Sequence, residues 1–360
     1  MNFTFLFTPG RNARQRLLEL GEAPSEFFYG AIELARAGHS VKNVEVDESR
    51  PSLAAKITDL CTPLRWRPVK TSACLAEAVR RERGRLECSE VIVATTGNLA
   101  FATAAAHMRP PVLGIHSGTL DYHHGWLRRR RSRRLLLASH TMLFGDAELE
   151  PFRRFFALGA DSVSVNQFGV DLNFWHPSPD TARDGSVLSI GNDGRRDYTT
   201  LLAAAAEIRA PIEIITRRIL PSPLPENVSL RPGSWQGAEL SDLALRERYQ
   251  RAACVVVPVL KTLQPSGQSV TLQAMACGCP VVLADFPGLW NRASLRDGEN
   301  VLLYPAGNPA ALVSAVRRIL TDSTLAARLG TAARATAGQH GDIHAFAGRI
   351  AELARKTLSS

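Results

Sequence analysis

The sequence contains no apolar run that approaches the roughly 20 residues needed to cross a bilayer, so it predicts no membrane-spanning helix. The first ten residues, MNFTFLFTPG, are too short for a secretory leader and carry no basic residue, which favours a first β-strand. The six cysteines show no metal-ligand spacing: a single glycine separates Cys277 from Cys279, and no histidine accompanies them. We therefore expect reduced, buried thiols and a cytoplasmic protein.

A dinucleotide-binding fingerprint is missing as well. No Gly-x-Gly-x-x-Gly follows the predicted first strand, so hydride transfer with a bound dinucleotide is disfavoured. The composition that remains is that of an ordinary soluble protein, with 45% hydrophobic and 21% charged residues. A length of 360 residues exceeds the usual size of one domain and suits two.

Positive charge is in excess, with a formal net charge of +9, and much of it is concentrated in one place. Six arginines lie within the seven residues from Arg128 to Arg134. Such a block could bind nucleic acid, anionic lipid or an anionic substrate, or it could be a solvated helix face. Nucleic acid is disfavoured because no aromatic residues are interleaved with the arginines. Trp126 before the block and Leu135 to Leu137 after it favour a membrane surface.

Apolar runs alternate with helical patterns in two successive series, separated by a proline- and glycine-punctuated linker at 176–186. This order predicts an α/β protein of two doubly wound domains with a ligand cleft between them. Residues 134–145 are expected to form a strand or a helix, and a helix followed by a loop is favoured. Residues 342–356 are expected to form a long helix. The predicted strands are 2–7, 40–46, 91–96, 110–118, 162–165, 186–193, 211–217, 228–235, 254–260, 281–284 and 300–305.

One stretch, PSGQSVTLQAMACGCPVVLAD from Pro265 to Asp285, concentrates the functional signals. A buried strand precedes it, a Ser/Gly loop leads into a helix over 270–277, and Gly278 ends that helix before the next strand. Because a small-residue loop leaves the first helical N–H groups free, the unit is suited to binding a phosphate. An ordinary strand–helix–strand crossover without a ligand is the alternative.

Four segments resemble motifs of one family, and they occur in that family's order. They are FGVDLNFWHP (168–177), SIGNDGRRDYTTLLAA (189–204), QAMACGCPVV (273–282) and DGENVLLYPAGNPAALVSAVRRIL (297–320). The chain thus resembles the retaining glycosyltransferases of group 1, which have the GT-B fold and include glycogen-synthase-like and lipid-mannosylating enzymes. The resemblance is strong over 160–320 and only a matter of pattern over 1–160. It implies two Rossmann-like domains facing a central cleft: an acceptor-side domain at 1–178, a nucleotide-sugar domain at 179–340, and a helix at 341–360 that returns to the first domain.

The resemblance implies a donor site in the second domain. Arg195 and Arg196 stand where the family holds the nucleotide diphosphate, and Ser269 and Val270 stand at the phosphate-binding helix N-terminus. The loop residues Ser266, Gly267 and Gln268 complete that segment. A surface ion pair with the neighbouring aspartates is the alternative for the two arginines.

Two motif positions depart from the family. Gln273 replaces the glutamate that binds the nucleotide ribose, and Pro265 replaces a glutamate at the sugar hydroxyls. We expect Gln273 to lie within hydrogen-bond reach of the ribose. The substitution Gln273→Glu is then expected to be tolerated or to improve donor binding, because it restores the family residue.

Two residues of the first domain complete the predicted site. His116, at the end of a strand, stands where many family members present a histidine to the donor sugar, and with Arg196 it is the predicted catalytic residue. A polar residue satisfied within a turn is the alternative for His116. Gly10, in the loop after the first strand, matches the segment that lies beside the acceptor and the diphosphate.

The implied activity is metal-independent transfer of a sugar from a nucleotide diphosphate sugar to an acceptor, with retention of anomeric configuration. No Asp-x-Asp pair lies between the relevant strands, and no cofactor is expected beyond the co-substrate. The acceptor is a glycan, a lipid or a small molecule, and an anionic inner membrane face is a further predicted partner. The alternatives are an inactive relative that binds nucleotide and a basic protein that binds nucleic acid or anionic surfaces.

Overall fold

The structure is a computed structural model that describes residues 1–63, 66–68, 70–122, 125–234 and 239–359. The chain divides into two compact units. Unit 1 comprises residues 1–15, 27–167 and 344–360, and unit 2 comprises residues 16–26 and 168–343. The domain limits predicted from the sequence, 1–178, 179–340 and 341–360, stay predictions.

Each unit contains a six-stranded sheet in which every paired strand is parallel. The sheet of unit 1 has the order β2-β1-β3-β4-β5-β6, and that of unit 2 has the order β12-β11-β10-β7-β8-β9. The strands are β1 (Asn2–Phe7), β2 (Ser40–Glu45), β3 (Val91–Ala94), β4 (Val112–His116), β5 (His140–Leu143), β6 (Val163–Val165), β7 (Val187–Ile190), β8 (Ile212–Ile215), β9 (Val228–Arg231), β10 (Cys254–Val257), β11 (Val281–Asp285) and β12 (Leu302–Pro305).

Helices connect these strands, and several begin at a side chain that accepts a hydrogen bond from the first turn. Ser72, Asp197 and Asn308 are examples of such N-caps. The helices are α1 (Arg11–Glu19), α2 (Ala31–Arg36), α3 (Leu53–Cys61), α4 (Ala73–Arg81), α5 (Arg83–Leu86), α6 (Gly97–Ala105), α7 (Trp126–Leu136), α8 (Asp146–Phe156), α9 (Tyr198–Ala205), α10 (Asp242–Arg251), α11 (Gln268–Ala276), α12 (Pro309–Thr321), α13 (Ser323–His340) and α14 (Ile343–Leu358). Short 3₁₀ helices occupy Ser25–Phe28, Thr119–Asp121 and Ala160–Ser162.

The central strands are buried along their whole length. All four residues of β3, β7 and β10 are buried, as expected for parallel strands that helices cover on both faces. This is why VIVA and CVVV are continuous apolar runs in the sequence and not alternating ones. The predicted class, two parallel doubly wound α/β units, is confirmed.

Several elements differ from the sequence prediction. For residues 134–145 a helix and a loop were favoured over a strand, but β5 lies there between β4 and β6. The leucine run lies at the end of α7, and the strand consists of the four residues HTML. Helices α1, α8 and α13 were not predicted. The predicted C-terminal helix is present as α14, and its Phe346, Ile350 and Ala354 are buried.

The strand orders locate one crevice in each sheet. The chain leaves β1 towards β2 on one side and then adds β3 on the other, so the order reverses between β1 and β3. The same reversal occurs in unit 2 between β7 and β10. Ligands of open parallel sheets bind outside the carboxyl ends of the strands at such points. Among the described residues, no helix is long and apolar enough to span a membrane.

Candidate functional site

In unit 2 the loops that follow β7 and β10 meet at the point where the strand order reverses. The first loop runs from Gly191 to Asp197 and leads into α9. The second leads into α11, whose N-cap is Gly267. Arg196 of the first loop forms an isolated antiparallel bridge with Val259 of the second, and the backbone N–H of Asp197 donates to the carbonyl of Pro258. The two loops are therefore joined through their backbones.

Arg196 is buried between the backbones of two glycines. A Cβ placed on Gly191 would lie 2.6 Å from the Arg196 Cζ, and one on Gly267 would lie 3.0 Å from its Nη1. Both glycines have positive φ, at 156° and 84°, so a side chain at either would meet backbone strain as well as the guanidinium. Only 3% of the Arg196 side chain is exposed. The guanidinium thus occupies the space that these missing side chains leave.

The charge of Arg196 is only partly compensated. Its Nε lies 2.9 Å from Oδ2 of Asp193, and among the described residues its buried Nη1 has no hydrogen-bond partner. A buried cation with an unused donor is costly unless an anion completes its contacts. The first turn of α11 lies beside this donor, and Gly267 provides no side-chain cap for that turn. The arrangement can therefore hold a dianion such as a phosphate.

Asp193 fixes the geometry of both loops. Its Oδ1 accepts from the Ser266 hydroxyl at 2.7 Å and from the backbone N–H of Arg195 at 3.0 Å. Its Oδ2 pairs with the Arg196 side chain. Its backbone carbonyl accepts from Nη1 of Arg218 at 2.8 Å. Asp193 therefore joins Ser266 to both predicted arginines. From the sequence, this aspartate was expected only as a possible partner in a surface ion pair with the arginines.

The remaining donor residues predicted on α11 occupy its first turn. Gln268 and Val270 are buried, and Ser269 is half-buried. The Gln268 side-chain nitrogen is buried without a hydrogen-bond partner among the described residues. The structure thus brings Arg195, Arg196, Ser266, Gly267 and Gln268 together around one helix N-terminus.

Gln273 lies in the interior of unit 2, where the oxygen and the nitrogen of its side-chain amide each form a hydrogen bond. The Tyr249 hydroxyl donates to its Oε1 at 3.1 Å, and its Nε2 donates to Oε1 of Glu26 at 3.0 Å. The residue is 5% exposed. Contact between Gln273 and a ribose stays a prediction, but the expectation for Gln273→Glu changes, because a carboxylate placed here would face another carboxylate.

Glu26 is the acceptor on which this interior network converges. Its Oε1 accepts from Nε1 of Trp175 at 2.6 Å as well as from Gln273, and its Oε2 accepts from the Asp171 N–H at 3.0 Å. Burial raises the pKa of Glu26 to about 7, against these hydrogen bonds, which favour the ionised form. No sequence signal could reveal this contact, since Glu26 and Gln273 are 247 residues apart.

The two predicted residues of unit 1 occupy different strand ends. Gly10 directly precedes α1 in the loop after β1. His116, the last residue of β4, is fully buried, with its ring edge-to-face against Phe101 at 5.0 Å. Burial lowers the pKa of His116 to about 3, helped by the charge of Lys70, so its imidazole is neutral. Its catalytic role stays a prediction.

His116 belongs to a polar cluster that sequence reasoning missed. In the described part of the chain neither of its ring nitrogens has a hydrogen-bond partner. Lys70 Nζ donates to the Ser117 carbonyl at 2.7 Å, and the Gly118 N–H donates to Oε1 of Glu148 at 3.3 Å. Burial raises the pKa of Glu148 to about 8, so this carboxyl is mostly protonated at neutral pH. Buried polar atoms without partners mark such clusters as sites for water or ligand.

Among the described residues, no group of three or more His, Cys, Asp or Glu side chains is arranged to hold a metal ion. Beside the Asp193 carboxylate, the polar groups around the start of α11 are the Arg196 guanidinium, the Ser266 hydroxyl, the Gln268 amide and the helix N–H groups. These groups suit an anionic ligand.

Comparison with known proteins shows which family this site resembles. The sequence profile described as Glycosyl transferases group 1 matches residues 193–322, a range that begins at Asp193 and includes all of α11. This segment is therefore similar to the domain of the group 1 glycosyl transferases. Its limits enclose every donor-site residue predicted in unit 2, whereas Gly191 and Glu26 lie outside it.

Sequence relatives match a part of the chain. A D-inositol 3-phosphate glycosyltransferase of Streptomyces bingchenggensis is 35% identical over 89 residues, which cover 25% of this chain and 18% of that protein. One of Geodermatophilus obscurus is 38% identical over 94 residues, covering 26% of this chain and 19% of that protein. The chain thus aligns with less than a fifth of the length of these relatives.

Solved structures of GT-B glycosyltransferases match the whole chain in fold. Sucrose-phosphate synthase of Thermosynechococcus elongatus has a TM-score of 0.71 at 19% identity, covering 100% of this chain and 99% of that one. Anabaena HepE in complex with UDP and glucose has a TM-score of 0.69 at 18% identity, with 100% of both chains covered. The predicted GT-B fold is confirmed.

The buried acid of the His116 cluster gives a pH-dependent prediction. Because the folded-state pKa of Glu148 is about 8 and its ordinary value is 4.5, its stabilising contribution is complete below pH 4.5 and is lost as the pH rises through 8. We expect the unfolding free energy of Glu148→Gln, measured by urea denaturation, to rise relative to wild type by roughly 2–3 kcal/mol between pH 6 and pH 9, because each pH unit between the two pKa values contributes about 1.4 kcal/mol. The exposed Glu150→Gln on the same helix is the control. Parallel pH profiles for wild type and Glu148→Gln would contradict the assignment.

Proposed function

We propose that the protein transfers a sugar from a nucleotide diphosphate sugar to an acceptor. The observation that carries this is Arg196, whose buried guanidinium has an unused donor beside the uncapped start of α11. A departing diphosphate gains negative charge in the transition state, and donors fixed in advance stabilise it without reorganisation. The group 1 match over residues 193–322 supports the same activity.

A uridine diphosphate sugar is the first donor to test. The HepE structures were solved with UDP and with UDP-glucose, and their fold matches this chain over 98–100% of its length. The inositol-phosphate glycosyltransferases that match by sequence suggest a hydroxylated, anionic acceptor, although a glycan or a lipid fits the chain equally. The inactive-relative alternative predicts nucleotide binding without turnover.

The finer parts of the proposal are retention of anomeric configuration, catalysis without a metal, and a cytoplasmic location. The first two rest on the family resemblance and on the cation and N–H groups of the donor site, and the location rests on the cysteine spacing in the sequence. Incubation with UDP-glucose and a panel of acceptors tests the first two, since the anomeric proton coupling of the product reports retention. Undiminished turnover in EDTA would support metal independence, and loss of turnover restored by Mg²⁺ would overturn it.

The geometry around Arg196 predicts that two different variants lose affinity for the nucleotide. Changing both Arg195 and Arg196 to alanine should weaken UDP binding roughly 10- to 100-fold, because a charge-assisted hydrogen bond contributes about 1.5–3 kcal/mol. Gly191→Ala should have a similar effect, because its Cβ would displace the Arg196 guanidinium. Calorimetric titration with UDP measures the affinity of wild type and of both variants.

The matched control is Gly194→Ala in the same loop, where the nearest atom to an added Cβ is 3.8 Å away on Arg218. This variant should bind UDP like wild type. If the arginine variant and Gly191→Ala also retain wild-type affinity, Arg196 is not part of the donor site.

A second candidate function, attachment to an anionic membrane, is favoured by the surface of α7. Trp126 is 67% exposed and Leu137, which caps the helix, is 52% exposed. Helical spacing places Arg130 and Arg134 on the same side as Trp126, and the Arg130 guanidinium lies 5.8 Å from the Trp126 ring centre. A cationic face with an aromatic anchor suits the headgroup region of a bilayer.

Part of the predicted lipid-facing segment is used inside unit 1 instead. Leu136 is buried in the core, Arg131 donates to the Trp66 carbonyl, and Arg133 donates to the Ala157 carbonyl. Of the leucines at 135–137 only Leu137 is exposed. The surface that remains for lipid is therefore narrower than the sequence predicted.

Flotation with vesicles tests this attachment. Wild type should float with phosphatidylserine-containing vesicles at low salt, because each arginine near an anionic surface contributes about 1 kcal/mol. Replacing Arg129, Arg130 and Arg134 with glutamine should abolish flotation. The same change at three exposed arginines elsewhere, Arg36, Arg85 and Arg296, should not. Wild type that stays in the pellet would exclude membrane attachment.

A further inference from the structure

The α11 helix, which begins at the candidate donor site, is anchored inside unit 2 at two points along its length. Near its C-terminal end, Nη1 of Arg334 donates to the carbonyls of Ala276 and Trp175 at 2.8 and 2.9 Å. In its middle, Gln273 is held by Tyr249 on one side and Glu26 on the other. The second anchor consists of hydrogen bonds between side chains, and one of these side chains, Glu26, is titratable.

The hydrogen-bond directions at this anchor are determined by the groups present. All three contacts of Glu26 come from donors: the Trp175 indole N–H, the Asp171 backbone N–H and the Gln273 amide. Gln273 must therefore turn its nitrogen to Glu26 and its oxygen to the Tyr249 hydroxyl. A carboxylate at position 273 could not donate to Glu26, and two carboxyl groups would then lie at hydrogen-bond distance in a buried place.

We propose that Glu26 is a positioning residue of the donor site, which fixes α11 through a matched carboxylate–amide pair with Gln273. The proposal rests on the proposed function for its link to nucleotide binding. It explains why the residue at 273 is an amide: Glu26 provides the acceptor oxygen of this pair, and the amide provides the donor. The group 1 match covers only one member of the pair, since Glu26 lies outside residues 193–322.

The charged and titratable groups around the pair are few. Asp171 interacts with Glu26 through space and through its own backbone N–H, and its carboxylate is itself used by the N–H groups of Ser25, Asn173 and Phe174. Tyr249 faces the pair from α10, and burial raises its pKa well above the ordinary value. The positive charge of Arg196 lowers the pKa of Tyr249, against the effect of burial. A second carboxylate would therefore meet little positive charge.

Variants at positions 26 and 273 distinguish a pair in which donor and acceptor match from two residues that are simply buried. In Gln273→Glu the two carboxyl groups share one proton, so urea midpoint and UDP affinity should lie near wild type at pH 5.5. Both should fall as the pH rises to 8.5, the affinity by at least tenfold. Glu26→Gln should lower stability at every pH, because its amide nitrogen faces donors.

The decisive variant carries both changes, Glu26→Gln with Gln273→Glu, which restores one carboxylate and one amide. Its midpoint and affinity should lose the steep pH dependence of Gln273→Glu. Gln339→Glu, an exposed position on α13, is the control for added charge and should show no such dependence. A flat pH profile for Gln273→Glu, or a double variant with a steeper profile than that single one, would overturn the pairing. If neither wild type nor any variant binds UDP, the proposed function fails. The urea midpoints still test the pairing of Glu26 with Gln273 in that case.

Discussion

The burial of the Arg196 guanidinium against two glycine backbones is the constraint on which the candidate site depends. Removing an arginine from water is costly, and Asp193 compensates only one side of the charge. The loop after β7 and the start of α11 must therefore stay in register, since both contribute atoms around the same group. Ser266 and Arg218 hold Asp193 in turn. The loops thus form one preorganised structure that an anionic ligand can complete.

Buried acids occur in both units, and their surroundings account for their different behaviour. Among the described residues Glu26 receives three hydrogen bonds and Glu148 receives one, from the Gly118 N–H, and burial raises the pKa of both acids. Fewer donors leave the desolvation of the charged form less compensated. The acceptor oxygens of the first acid are both used by its network. The second is closer to a neutral acid that has hydrogen-bonding capacity left beside His116.

The sequence predicted what is locally encoded and missed what distant residues create. Strand β1 was predicted residue for residue because apolar runs between turn residues specify buried strands. Arg195, Arg196, Ser266 and Gly267 were found because they follow strand ends in family motifs. A helix was favoured at strand β5 because a strand of four residues is too short for its alternating pattern to be recognised. Glu26 could not be found, since its role arises only when residues far apart in the chain meet around a buried indole.

The assignment of residues 16–26 to unit 2 has a consequence for inheritance. Unit 2 is encoded by two separate pieces of the chain, and the short piece contributes the acceptor for Trp175, Gln273 and the Asp171 backbone. A recombination event that exchanged only the C-terminal half with a relative would separate these donors from their acceptor. A hybrid keeps this hydrogen-bond network only when both pieces provide a donor and an acceptor that match, as they do when both come from the same parent.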